Sequence, residues 1–184
     1  MTEKQKKFLD LFEPVKDNLW RFCLTMSKNR ENAKDLLQET ITIAFNNFDK
    51  LSSPDAFLSW LFTIASRKYY EFHRKKLDLN ESVDVDLLFS KDISPEEQAD
   101  IRHLYDALSK LPDDQRESIV LSDIMGYSRE EICKIQDIEL ETLKSRLYRG
   151  RKKLIELLRP EKKVVSQNEE ISWRRRNEKP EILL

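Results

Sequence analysis

The chain has 184 residues, of which 36% are charged and 39% hydrophobic, with only two Gly and six Pro and a formal net charge of −1. That length allows one domain or two small ones, and a composition rich in Leu, Lys, Glu and Arg but poor in Gly points to an all-α protein. Two Cys far apart exclude a disulfide scaffold, and the absence of a long apolar run excludes a membrane-spanning helix, so the expectation is a soluble, cytoplasmic protein without membrane insertion.

The near-zero charge hides an uneven distribution. Residues 1–77 carry 14 basic and 10 acidic side chains, whereas 78–100 carry one and eight. Cys23 and Cys133 have no ligand-like neighbours. They are expected to pack as small hydrophobes, with no metal and no cofactor.

In chain order, Lys4 to Phe12 predicts a helix with Phe8, Leu9 and Phe12 on one face. A second helix follows Pro14 and carries Leu19, Trp20, Cys23 and Leu24. After a polar, turn-like stretch from Asn29 to Asn32, the apolar positions Leu36, Leu37, Thr40, Ile41, Ala44, Phe45 and Phe48 keep a helical period. Ser52-Ser53-Pro54-Asp55 breaks the chain and starts a helix of about 55–76, whose core face holds Phe57, Trp60, Leu61, Ile64, Ala65 and Phe72.

Residues 78–97 show no convincing period and are expected to be an acidic, flexible linker. Ser94-Pro95-Glu96-Glu97 is a helix start with N-cap, Pro at the first position and an acidic first turn. That helix is expected to reach about Leu111. Another opens at Pro112 and ends near Gly126. Ser128-Arg129-Glu130-Glu131 is a capping box for a short helix carrying Ile132 and Ile135. Gln136-Asp137-Ile138 then turns the chain into a basic helix of about 140–157, stopped by Pro160. The tail 160–184 is expected to be disordered.

Short helix, turn and long basic helix is the layout of a helix-turn-helix, whose second helix enters the major groove. Ile132 and Ile135 are expected to pack against Ile138, Leu143 and Leu147. That leaves a candidate DNA-reading set of Thr142, Lys144, Ser145, Arg146, Tyr148, Arg149 and Lys152. Arg and Lys donate to guanine edges or phosphates, and Ser bonds to either. Earlier in the chain, Arg67, Lys68, Tyr70, Glu71, Phe72, Arg74 and Lys75 interleave charges with rings. Such a surface suits single-stranded DNA, because cations follow the backbone while rings stack on unpaired bases.

The segments Leu111–Glu117, Gly126–Ile132 and Thr142–Leu147 together resemble region 4 of bacterial sigma factors, and more narrowly the extracytoplasmic-function (ECF) branch. Asp35-Leu-Leu-Gln-Glu-Thr40 with Ala44-Phe45, and Phe57 to Ala65, resemble region 2. The resemblance implies two small helical domains. Residues 1–77 would bind core RNA polymerase through Asp35, Gln38, Glu39 and Thr42, and would recognise and melt the minus-ten element. Residues 98–159 would read the minus-thirty-five element. It also implies an anti-sigma partner. Three departures stand out: Gln136-Asp137 replaces the usual Leu-Gly turn, Glu139 replaces a small polar cap, and Arg67 replaces a frequent Asn.

The function so read is an alternative sigma factor, bound to core polymerase and to promoter DNA as duplex and as melted strand. It is not an enzyme: Glu130-Glu131 is explained by capping, His73 and His103 lack partner carboxylates, and no Gly-rich phosphate loop exists. The alternative is a helix-turn-helix regulator acting on duplex DNA without polymerase, and a third reading is a module that sequesters a regulator.

Overall fold

The computed structural model describes residues 1–73 and 94–159. Residues 78–93 of the expected acidic linker, Arg74, Lys75 and the tail lie outside the described residues, whereas 94–97, counted with that linker, form the N-cap and first turn of a helix because Ser94 and Glu97 close a capping box. Eight α-helices and no strand occur among the described residues: α1 (Glu3–Phe12), α2 (Lys16–Ser27), α3 (Arg30–Asn46), α4 (Phe57–His73), α5 (Pro95–Ser109), α6 (Asp113–Ile119), α7 (Arg129–Gln136) and α8 (Leu140–Leu158).

The helix starts follow local chemistry. Thr2, Ser94 and Ser128 each close a capping box, with Gln5, Glu97 and Glu131 returning the bond. Asn29 caps α3 by accepting from the Asn32 amide at 2.8 Å. The polar stretch read as a turn therefore belongs to the first turn of α3, because its Asn satisfies an amide the helix would otherwise leave free. Ser53 and Pro54 open a short 3₁₀ turn, Pro54–Ala56, that runs directly into α4.

In the first lobe α3 packs against both α2 and α4. Phe8 pins α1 onto it. Its ring lies 5.4, 5.3 and 5.5 Å from those of Phe45, Phe48 and Phe57, each edge to face. Such pairs add to the burial of their apolar area. Leu9, placed on the same face by the sequence reading, is 47% exposed.

In the second lobe α6 and α5 lie against α8, and α7 joins α8 through the turn. Gly150 lets α6 approach closely: a Cβ there would stand 2.7 Å from Ile119 Cδ1 and 3.2 Å from Gln115 Cβ. After α6 the chain widens into a π-helical turn, Val120–Ile124, and leaves it through Gly126 at φ 76°.

The lobes share one core. α4 packs on α7, and α2 touches α5 and α6. Phe62 of α4 meets Tyr127, which precedes α7, with ring centroids 5.6 Å apart and planes at 79°.

Candidate nucleic-acid interface

The turn between α7 and α8 sets the angle of the basic helix. Asp137 adopts the left-handed conformation, φ 54° and ψ 53°, and its amide donates to the Cys133 carbonyl. The Ile138 amide reaches the same carbonyl at 3.1 Å. Asp is among the few non-Gly residues that enter this region readily, so the turn forms without the glycine. Glu139 occupies the N-cap of α8 in extended conformation, but its side chain caps nothing. Glu139 therefore does not take over the capping that a small polar residue would supply at this N-cap.

Along α8, Leu143 and Leu147 are buried against Ile132 and Ile135, as the apolar spacing requires. Thr142, Lys144, Ser145, Tyr148, Arg149 and Lys152 are exposed, Tyr148 by 71%. Lys144 pairs with Glu141 at 2.7 Å, and Arg149 Nε donates to the Ser145 carbonyl at 3.3 Å. Arg146 behaves differently. It is partly buried, 3.3 Å from Asp114 Oδ2, and its Nη1 donates to Gln136 Oε1 at 3.4 Å. Arg151 grips Asp123 through two parallel bonds of 2.9 and 2.6 Å and also reaches Ser122 Oγ. Those bonds hold the Asp123 carboxyl below its ordinary range. The basic run thus divides into an outward group and two arginines spent on the fold.

On α3, Asp35, Gln38, Glu39 and Thr42 all face solvent on one side, and Leu36, Thr40 and Ala44 face the core. The Thr42 hydroxyl donates to the Gln38 carbonyl at 2.8 Å. On α4, Lys68 bridges to Glu71 at 3.0 Å and lies 5.6 Å from the centre of the Phe72 ring, which is 43% exposed. Arg67 is exposed, 4.0 Å from Asp137 of the other lobe. Tyr69 is buried, and Tyr70 keeps about a third of its surface.

The sequence reading assigned no role to the pair that joins the lobes, Arg116 and Glu117, both fully buried. Arg116 Nη2 donates to the Met26 carbonyl, the Tyr69 hydroxyl and Asp113 Oδ1 at 3.1, 2.9 and 2.6 Å, and Nη1 to the Leu111 carbonyl at 3.2 Å. Burial alone would raise the Asp113 carboxyl, but Arg116 and the Tyr69 hydroxyl bring it below its usual range. Glu117 accepts from the Tyr70 hydroxyl at 2.8 Å. Burial lifts its carboxyl above the usual range, with Ser66, Tyr70, Gln136 and Arg146 pulling the other way. Two charged residues just before the apolar run Ile119-Val120-Leu121 were the available signal, but pattern alone does not distinguish them from a solvated first turn.

Residues 11–77 match the model for sigma-70 region 2, and residues 101–154 match that for sigma-70 region 4. The chain is 34% identical over 145 residues to the ECF RNA polymerase sigma factor EcfG of Rhodopseudomonas palustris, covering 77% of this chain and 79% of that one. The chain belongs to the ECF RNA polymerase sigma factors. It is also 27% identical over 188 residues to SigX of Bacillus subtilis, with 95% of each covered. Among solved structures it resembles the sigma factor RpoE of Bartonella quintana in complex with the anti-sigma factor NepR, with a TM-score of 0.67, 30% identity, and 87% of this chain and 99% of that one covered. CnrH in complex with the cytosolic domain of CnrY matches with a TM-score of 0.61 and 26% identity.

Two absences bear on this sigma factor's surface. No helix among the described residues is long and apolar enough to cross a membrane. No group of His, Cys, Asp or Glu among them is arranged to hold a metal. Cys23 is buried and burial pushes its thiol well up, which suits packing rather than chemistry.

Proposed function

We propose that this sigma factor binds core RNA polymerase through the α3 face of Asp35, Gln38, Glu39 and Thr42, and reads the upstream promoter element with the outward face of α8. Arg67, Lys68, Tyr70, Glu71 and Phe72 of α4, together with Arg74 and Lys75, receive the melted minus-ten strand. The domain division follows the same reading: 1–77 for polymerase and minus-ten DNA, 78–97 as the connection, 98–159 for minus-thirty-five DNA. The protein acts in the cytoplasm, catalyses no reaction itself and is held by an anti-sigma factor until needed.

The observation that carries the reading is the exposed set Lys144, Ser145, Tyr148, Arg149 and Lys152 on a helix fixed by a helix-turn-helix core. Side chains of this kind on a groove-sized helix supply both phosphate contacts and base-edge donors. Run-off transcription with purified core polymerase and genomic promoter fragments tests it: a promoter-specific transcript dependent on the protein is expected. Tight binding of an operator palindrome by the protein alone, with no transcript, would favour the duplex regulator instead.

A further inference from the structure

Arg151 belongs to the basic run of α8, yet its charge is held by another part of its own lobe. Nε donates to Asp123 Oδ2 at 2.9 Å and Nη2 to Asp123 Oδ1 at 2.6 Å, and Nη2 also reaches Ser122 Oγ at 3.2 Å. Both acceptor residues sit in the π-helical turn Val120–Ile124, which brings them beside α8. A two-pronged grip of this kind is what an arginine fork makes with a phosphate, and here a carboxylate fills it. The pair is open to water, with 45% of the Arg151 side chain and 37% of the Asp123 side chain exposed. An ion pair so exposed contributes only about 0–1 kcal/mol to the fold. Its larger effect is on the surface, from which it withdraws a cation. That surface is the one assigned to duplex DNA. Arg151 lines a groove of about 430 Å³ together with Arg129, Lys144, Tyr148 and Lys152. Lys144, Tyr148 and Lys152 belong to the reading set, and Arg129 is the exposed first residue of α7. Lys144 is already paired with Glu141 at 2.7 Å. A phosphate entering the groove would meet Arg129 and Lys152, and would have to displace Asp123 to gain Arg151.

We propose that Asp123 occupies the fork of Arg151 as an internal substitute for a phosphate, and so limits the sequence-independent grip of α8 on duplex DNA. This rests on the function proposed above, in which α8 reads the upstream element. Sequence-independent binding comes from neutralised phosphates, and each contact steepens the fall of log affinity with log salt by ~0.9. Away from a promoter, such contacts supply essentially all of the binding. With Arg151 withheld, the protein leaves non-promoter DNA more readily. Arg149 and the other outward side chains of α8 still meet base edges at the proper site. Asp123 is thus a positioning residue that acts on DNA only through Arg151.

The test compares the full chain with Asp123→Ala and with the double variant Asp123→Ala/Arg151→Ala, each titrated onto a fluorescent duplex of scrambled sequence between about 50 and 200 mM salt. Freeing the fork should make Asp123→Ala bind more tightly at low salt. One added phosphate contact should then cost it roughly 3.5-fold more affinity across that four-fold change in salt than the parent loses. The double variant has the parent's net charge and no fork to free, so its salt dependence should return to the parent's. A merely structural role for the pair would move the melting temperature and leave the salt dependence alone. Far-UV circular dichroism checks the helices, and Asp123→Asn, which keeps the side-chain shape without the charge, takes the place of the Ala variant if the turn is lost. Three results would overturn the proposal. An unchanged salt dependence in the Asp123 variant would show that nothing was withheld. A double variant as steep as the single one would assign the effect to local charge rather than to the fork. A double variant shallower than the parent would show that Arg151 already contacts phosphate. Failure of the family function itself would show separately, as a wild-type protein unable to direct run-off transcription.

Discussion

The guanidinium of Arg116 reaches the main-chain carbonyl of Met26, 90 residues earlier in the chain, at 3.1 Å. That bond ties α6 of the second lobe to the end of α2 in the first. It works because the same guanidinium also bonds the Tyr69 hydroxyl, Asp113 and the Leu111 carbonyl, so both terminal nitrogens are used, while the buried Nε has no hydrogen-bond partner among the described residues. A buried charge is tolerable only when compensated in this way.

Arg116→Ala is expected to destabilise the fold by about 3 kcal/mol, since it leaves Asp113 charged and half-buried and strips a bond from Met26 and Tyr69. Arg116→Lys should recover only part of this, because an ammonium cannot reproduce the fork. Urea denaturation of the three proteins measures the order. Equal midpoints for Arg116 and Ala would show that the bonded network contributes nothing net.

Glu117 makes stability depend on pH in a definite direction. Its folded carboxyl is raised above the unfolded value by burial. Its contribution is therefore most favourable below the ordinary carboxylate range and is lost as pH rises through the raised value. Asp113 runs the other way: its lowered carboxyl contributes above the ordinary range and loses that as pH falls. Glu117→Gln should then gain stability over the parent as pH rises from about 4 towards 7, typical carboxylate ranges setting the lower end. Thermal melts across that window give the difference, and a Gln variant whose advantage shrinks with rising pH would contradict the buried charge.

Gly150→Ala would normally help a helix by up to about 1 kcal/mol. Here the added methyl would stand 2.7 Å from Ile119 Cδ1, within a buried contact. A net loss of about 1 kcal/mol is expected from the overpacking. Ile119→Val deletes the offending methyl, so the double variant should melt above Gly150→Ala alone. Additive losses in the double variant would place the strain elsewhere.

Arg149 and Lys152 share the open face of α8, and their losses should be distinguishable. Arg149→Ala should weaken binding of the upstream element by about 1–3 kcal/mol and relax sequence preference, as expected for an arginine donating to base edges. Lys152→Ala should weaken all duplexes alike and reduce the salt dependence, as expected for a phosphate contact. Binding isotherms on matched and scrambled duplexes at two salt concentrations separate the two. A uniform loss for Arg149→Ala would make it a phosphate contact as well.

Helix-level structure was largely legible because local chemistry decides it. The capping boxes at Ser94 and Ser128 and the break at Pro54 sit where the residues require them. Asp137 takes the left-handed turn that its short carboxylate permits. The helical period also placed Leu143 and Leu147 inside and Tyr148 outside. Reading failed where one helix position has two possible neighbours. Arg146 lies in the same basic run as Arg149, yet it turns to Asp114, because α6 passes beside it. Arg151 is drawn to Asp123 for the same reason.

The sequence by itself determined the helices, their caps, the helix-turn-helix and the family, since these follow from spacings of three or four residues and from motifs that lie along the chain. Only the tertiary structure decided that the two lobes share a core and that Arg116 and Glu117 lie at its centre. It also decided that, on the basic-aromatic helix, Tyr69 meets Arg116 and Tyr70 meets Glu117 of the other lobe. Those contacts join residues 47 and 90 positions apart. No periodicity encodes such pairings: a charged side chain reads as solvent-facing until another segment brings the donors and acceptors that make its burial possible.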